Sequence, residues 1–146
     1  MLPIAHASDG FGSIRGPAAS CGLVGLRPTR GRNTQWPYAG EGMMGYAIEH
    51  AVSLSVRDNA ALLDATHGSG PGDPYSAPPP ARPFLEEVDA DPGQLRIAFT
   101  AKAPNGAPVE ADYLRVLRET ATLCEEFGHI VEEADPEVDG EAIVPT

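Results

Sequence analysis

A serine flanked by glycines near the start of the chain is the residue best suited to chemistry. The segment Asp9–Arg15 reads DGFGSIR and places Ser13 after two glycines. Glycine adopts backbone conformations that other residues avoid, so successive N–H groups can converge on an anion. We therefore expect Ser13 to be a nucleophile. An oxyanion hole about 3 Å from its Oγ would be formed by four backbone N–H groups, those of Gly10, Phe11, Gly12 and Ser13.

The same loop also has the composition of an anion-binding site without catalysis. A dinucleotide fingerprint requires G-x-G-x-x-G, but here the third glycine, Gly16, comes one residue late. The phosphate loop G-x-x-x-x-G-K-[ST] is absent from the sequence. Two alternatives to an enzyme stay open, an anion- or phosphate-binding α/β module and a non-catalytic binding or structural module.

Charge and cysteine content narrow the class of protein. The formal net charge is −11, from 21 acidic and 10 basic side chains, whereas proteins that bind nucleic acid need excess positive charge. No apolar run reaches the ~18 residues of a membrane span. Cys21 and Cys124 stand far apart without a C-x-x-C pair, so no metal site or disulfide framework is indicated. We expect a cytoplasmic protein without a cofactor that binds neither nucleic acid nor membranes.

Strands and helices alternate around this loop. Apolar runs predict strands at 2–7, 95–99 and 130–133, and helical periodicity predicts helices near 18–23, 56–66 and 110–127. A strand–helix–strand run implies a right-handed parallel crossover. We therefore expect an α/β protein with an α/β/α layered fold, in which these three strands share one mixed or parallel sheet flanked by helices.

Four side chains near Ser13 are expected to support the structure rather than react. Asp9 and Arg15 should pair and hold the loop. Cys21 should be a small buried residue on the helix behind the serine. His6 precedes Ser13 by seven residues on the predicted strand, so a packed or surface histidine is favoured over a Ser–His pair.

The stretch ASDGFGSIRGPAASCGLVGLRPTRGR resembles the amidase signature, D-x-G-G-S-[IV]-R-x-P followed by G-[LIV]-x-G-[LF]-[KR]-P-[TS]-x-G-R. The resemblance is dense over residues 5–32 and continues through EHAVSLSVRDNAALLDA. Within the family, the residues around the serine and the loop GDPYSAPPPARPF are most similar to those of bacterial amidases that act on linear or cyclic aliphatic amides. These include 6-aminohexanoate-cyclic-dimer hydrolases. One position departs from the motif, because Phe11 replaces a glycine and its Cβ restricts the turn.

The resemblance implies hydrolysis of a small-molecule carboxylic amide by a Ser–cisSer–Lys mechanism, with Ser13 as the nucleophile and the oxyanion hole at residues 10–13. A homodimer of the full-length form is also expected. In the family, a lysine and a second serine N-terminal to this loop move the proton, and both would precede residue 1. The only lysine, Lys102, matches no catalytic segment.

The chain is accordingly expected to be the central fragment of a single larger amidase domain and to be inactive alone. Residues 1–32 would form the signature loop and helix. Residues 68–94 contain many prolines and glycines, which predict a long surface crossing without regular structure. Residues 95–134 would form a strand–helix–strand unit.

Overall fold

The loop that carries Ser13 connects the first strand to the first helix. The computed structural model describes residues 2–137. Strand β1 spans Ile4–Asp9, and helix α1 spans Arg15–Cys21. Pro17 stands in the first turn of α1, where a missing N–H leaves no helical hydrogen bond unmade. The predicted strand–turn–helix is confirmed.

Strand β1 lies at one edge of a three-stranded antiparallel sheet. It pairs with β3 (Ile48–Ser53), which pairs on its other side with the short strand β2 (Val24–Gly25). The register places Ile4 opposite Ser53 and Asp9 opposite Ile48. β3 was not predicted from the sequence. The sheet therefore anchors the start of the Ser13 loop to a strand that follows it in the chain.

The other two strands form a parallel pair. β4 (Arg96–Phe99) and β5 (Ile130–Glu133) are connected by the helix Ala111–Glu126, so the predicted strand–helix–strand crossover and the α/β class are confirmed. The prediction that these strands share one sheet with β1 is wrong among residues 2–137. β1 pairs antiparallel with β3, which the sequence patterns did not predict, whereas β4 and β5 pair in parallel with each other.

Helix α2 (Val56–Thr66) covers β3 and closes a small core. Its predicted N-terminus is confirmed, since the Ser55 Oγ accepts a hydrogen bond from the Asp58 N–H at 3.0 Å. A buried polar contact joins the two elements, because the His50 Nε2 lies 2.8 Å from the Asn59 Oδ1. Among residues 2–137, the buried apolar side chains include those of Ile14, Ala18, Ile48, Ala51 and Leu63.

The segment 68–94 is irregular except for the short helix α3 (Phe84–Glu87). This helix corrects the prediction that the crossing lacks regular structure. The carboxylate of Asp64, on α2, accepts the N–H groups of Phe84 and Leu85 at 2.7 and 2.8 Å. It satisfies two of the N–H groups that a helix start leaves free, which explains a helix beside so many prolines.

The chain divides into two compact units, Met1–Ala90 and Asp91–Thr146. The first contains the Ser13 loop, and the second contains β4, β5 and the helix that connects them, α4 (Ala111–Glu126). Of the helices within residues 2–137, none combines the length and the hydropathy needed to cross a bilayer.

Cys21 is exposed, which corrects its predicted burial. The residue that α1 buries is Ala18, which is 2% exposed. A Cβ added to Gly25 of β2 would lie 2.6 Å from the Ala18 Cβ, so helix and strand approach closely at this point. Cys21 ends the helix beyond that contact.

We expect Gly25→Ala to lower the free energy of unfolding by about 1–3 kcal/mol, because the added methyl group would force α1 away from β2. Gly16→Ala is the matched control, since a Cβ on this helical glycine meets nothing within 4 Å. That change should leave stability equal or raise it by up to about 1 kcal/mol. Urea unfolding measures both, and equal midpoints for the two variants would contradict the close approach.

Candidate active site

Ser13 is exposed at the bend between β1 and α1. Gly12, directly before it, has a φ of 114°, which a residue with a Cβ rarely adopts. α1 begins two residues after the serine, at Arg15. The bend therefore presents the hydroxyl to solvent, as attack on a substrate requires.

The buried side chain beneath this bend is that of Asp9, the last residue of β1. It is 0% exposed. Its carboxylate accepts the backbone N–H groups of Gly12, Ile14 and Arg15 at 2.6, 3.3 and 3.4 Å. One side chain thus holds the backbone on both sides of Ser13 in place.

Two arginines compensate the buried charge of Asp9. The Arg15 Nε and Nη2 donate to the two carboxylate oxygens at 2.9 and 3.2 Å, a bidentate arrangement that matches the predicted pairing. The Arg27 Nε lies 3.7 Å from the Asp9 Oδ1. The hydrogen bonds from Arg15 outweigh the effect of burial and hold the pKa of the Asp9 carboxyl well below its usual range.

Arg27 was not assigned a role from the sequence, although it stands in the quoted motif segment GLRPTRGR. Its Nη2 also donates to the carbonyl oxygen of Tyr46 at 2.8 Å. The Asp9 carboxylate could have indicated the role of Arg27, since a buried charge requires compensation by nearby opposite charges or hydrogen-bond donors. Which of the chain's arginines supplies it is decided by the fold.

The four N–H groups assigned to the oxyanion hole do not have the same surroundings. That of Gly12 donates to Asp9 at 2.6 Å, so it is already engaged. Those of the other three residues have no hydrogen-bond acceptor among residues 2–137: Gly10, Phe11 and Ser13. Three of the four donors therefore have no acceptor within the described part of the chain.

Phe11 occupies its position without backbone strain. Among residues 2–137, positive φ at a non-glycine residue occurs at Met43 and Met44 only, so the conformation of Phe11 suits any side chain. Its ring is 79% exposed and stacks on Tyr46, with the ring centroids 5.8 Å apart. The left-handed residue of the turn is Gly12, which explains why phenylalanine is tolerated one position earlier.

His6 and Lys102 both have carboxylate partners. The His6 Nε2 lies 2.8 Å from the Glu49 Oε2, and its side chain is 76% exposed, as expected for a surface histidine. Lys102 pairs with Asp135 within the second unit. The hydrogen bond from this ammonium raises the pKa of Lys102. Within the residues that the structure describes, neither side chain forms a hydrogen bond with Ser13.

Comparison with known proteins identifies the family. The sequence model described as Amidase matches residues 1–144, nearly the whole chain. The chain belongs to the amidase family. The family match includes the serine, the two loop glycines and the Asp9 and Arg15 positions described above.

Comparison with individual proteins also places the chain among amidases. The chain is 39% identical over 144 residues to the 6-aminohexanoate-cyclic-dimer hydrolase of Paenarthrobacter ureafaciens, covering 97% of this chain and 29% of that protein. It is 35% identical over 135 residues to an acylamidase of Rhodococcus erythropolis, covering 92% of this chain and 28% of the relative.

A solved structure of 6-aminohexanoate cyclic dimer hydrolase complexed with substrate superposes with a TM-score of 0.86 at 38% identity. The match covers 92% of this chain and 29% of that one. The predicted amidase-signature α/β fold is thereby confirmed. The chain spans less than a third of the length of the relatives it matches.

We expect Asp9→Asn to lower the free energy of unfolding at pH 7 by about 2–4 kcal/mol, because it removes charged hydrogen bonds to backbone and arginine. The folded-state pKa of Asp9 is depressed from its ordinary value of 3.8, so its contribution is complete above that value and declines as the pH falls below it. The stability difference between wild type and variant should therefore be smaller at low pH.

Urea unfolding of both proteins at neutral and acidic pH measures this difference. The control is Asp89→Asn, which removes a carboxylate whose ion pair with Arg57 is exposed, and which should leave stability unchanged. A difference for Asp9→Asn that is constant across the pH range would show that its ionisation does not stabilise the fold.

Proposed function

We propose that Ser13 is the nucleophile of an amidase that hydrolyses the C–N bond of a small carboxylic amide. The observation that carries this proposal is the combination of an exposed serine hydroxyl with neighbouring open N–H groups, on a bend held by the buried Asp9. Membership of the amidase family supports it. A hydroxyl and a fixed set of amide donors are the two features that acyl transfer requires at one carbon atom.

The chemistry assigned to these residues proceeds through a tetrahedral intermediate. The Ser13 Oγ attacks the amide carbon, and its electron pair forms the new C–O bond while the carbonyl π electrons move onto oxygen. That oxyanion accepts hydrogen bonds from the open N–H groups of the loop. Collapse breaks the C–N bond, the amine leaves with a proton, and water then hydrolyses the acyl-serine ester.

The proton of Ser13 requires a base, and the described residues favour one supplied from elsewhere in the enzyme. Lys102 is paired with Asp135, which stabilises its protonated form. His6 contacts Glu49 and forms no hydrogen bond with Ser13 within residues 2–137. We therefore propose that a lysine and a second serine, supplied by sequence outside these 146 residues, carry the proton as the family resemblance implies.

The activities in the names of two relatives indicate a class of substrate. One is a hydrolase of the 6-aminohexanoate cyclic dimer and another is an acylamidase. We propose a small amide with an aliphatic part as the substrate, in a cytoplasmic enzyme that forms a homodimer at full length. The two free cysteines agree with a reducing compartment.

We expect the 146-residue chain alone to hydrolyse amides at a rate near background, since general-base assistance is worth about 10²–10⁴ in rate. A chimera in which this chain replaces the matching segment of the Paenarthrobacter hydrolase should be active. Ser13→Ala in the chimera should abolish turnover, because no nucleophile remains. Release of amine or ammonia from a panel of aliphatic and aryl amides measures each rate.

The matched control is Ser20→Ala, which removes an exposed hydroxyl from α1. It should retain full activity. Retained activity after Ser13→Ala would disprove the nucleophile assignment, and robust turnover by the short chain would show that another base serves the serine. Binding of inorganic phosphate without turnover in the chimera would favour the anion-binding alternative.

A further inference from the structure

Exposed apolar side chains border the Ser13 loop on one side. The rings of Phe11 and Tyr46 stack at an interplanar angle of 17°. The Met43 Sδ lies 3.0 Å from the position that a Cβ on Gly10 would occupy. We give the name apolar wall to these three side chains together with that of Met44, which follows Met43 in the chain; each of the four is more than half exposed: Phe11, Met43, Met44 and Tyr46.

The wall is built on strained backbone. Met43 and Met44 have φ values of 49° and 55°, in the left-handed region that side chains disfavour. Hydrogen bonds close the turn, with the Gly45 and Ala47 N–H groups both donating to the Gly42 carbonyl at 3.0 Å. Strain of this kind persists where the surrounding structure enforces it, and it concentrates at functional sites.

The apolar wall and the Ser13 loop are both connected to Arg27. Arg27 donates to the Tyr46 carbonyl oxygen at 2.8 Å, and its Nε lies 3.7 Å from the Asp9 carboxylate. Asp9 in turn holds the Gly12 N–H. One arginine therefore bridges the wall and the loop that carries Ser13, in addition to the direct contacts between them.

We propose that the apolar wall determines substrate specificity by binding the hydrocarbon chain of the amide whose carbonyl carbon Ser13 attacks. This inference rests on the proposed function and assigns the aliphatic part of the substrate to named residues. The side chains are apolar, and the methionine thioethers adapt to flexible chains. Each methylene group that the wall covers should strengthen binding about two- to fourfold. Long-chain amides should therefore be preferred over acetamide.

Methionine methyl NMR tests the wall on the 146-residue chain itself. The sequence has three methionines, so selective ¹³C-methyl labelling produces three signals, and Met43→Leu and Met44→Leu assign two of them. Hexanamide should shift the Met43 and Met44 signals progressively, whereas acetamide at the same concentration should not. Phe11→Gly, which restores the glycine of the motif, should weaken hexanamide binding about threefold or more.

Ser13→Ala separates this inference from the proposed function. Because the wall binds hydrocarbon without needing the hydroxyl, the variant should show the same hexanamide shifts as the wild type. Persistent shifts combined with retained turnover by the Ser13→Ala chimera would disprove the nucleophile role but support the wall. Absent shifts at Met43 and Met44, or equal shifts with acetamide, would overturn the wall whatever Ser13 does.

Kinetics of the chimera supply a second measurement. Met43→Asn keeps a residue that tolerates left-handed backbone but removes the apolar side chain. It should lower the ratio of kcat/KM for hexanamide to kcat/KM for acetamide at least threefold, chiefly through KM. An unchanged ratio in an active Met43→Asn chimera would also overturn the proposal.

Discussion

The buried carboxylate of Asp9 is the constraint on which the candidate site depends. Removing a charge from water is costly, so this side chain must have several donors, and the structure supplies three backbone N–H groups and two arginines. Those donors come from the bend, from the start of α1 and from the segment after β2. Satisfying one charge therefore fixes the path of three parts of the chain.

This arrangement also explains how the loop is fixed while some of its N–H groups keep no protein acceptor among residues 2–137. Glycine-rich bends are usually adaptable, because their backbone has many accessible conformations. Here Asp9 takes the N–H of Gly12 and leaves those of Gly10 and Ser13 without protein acceptors among residues 2–137. The Asp9 carboxylate thus fixes the loop without engaging those two N–H groups. Under the proposed function, donors fixed in this way would stabilise developing negative charge without reorganising first.

Local sequence predicted the elements around the site well. The strand before Ser13, the helix after it and the capped start of α2 follow from short-range signals, such as Pro17 in a first turn and Ser55 before Asp58. The strand β3 was missed, because a short strand next to an irregular segment is recognised mainly by its pairing with β1. α3 was missed for a similar reason, since Asp64 caps it from a different helix.

The sequence by itself determined the family, the position of Ser13 in the motif and the Asp9–Arg15 pair beside it, because these residues lie close together in the chain and their chemistry is local. Tertiary structure decided which of the loop N–H groups are open, which second arginine reaches Asp9, and which apolar side chains border the site. These depend on contacts between residues far apart in the chain. Arg27 and Tyr46 approach the loop only after β2 and β3 have paired, and no short-range pattern encodes that approach.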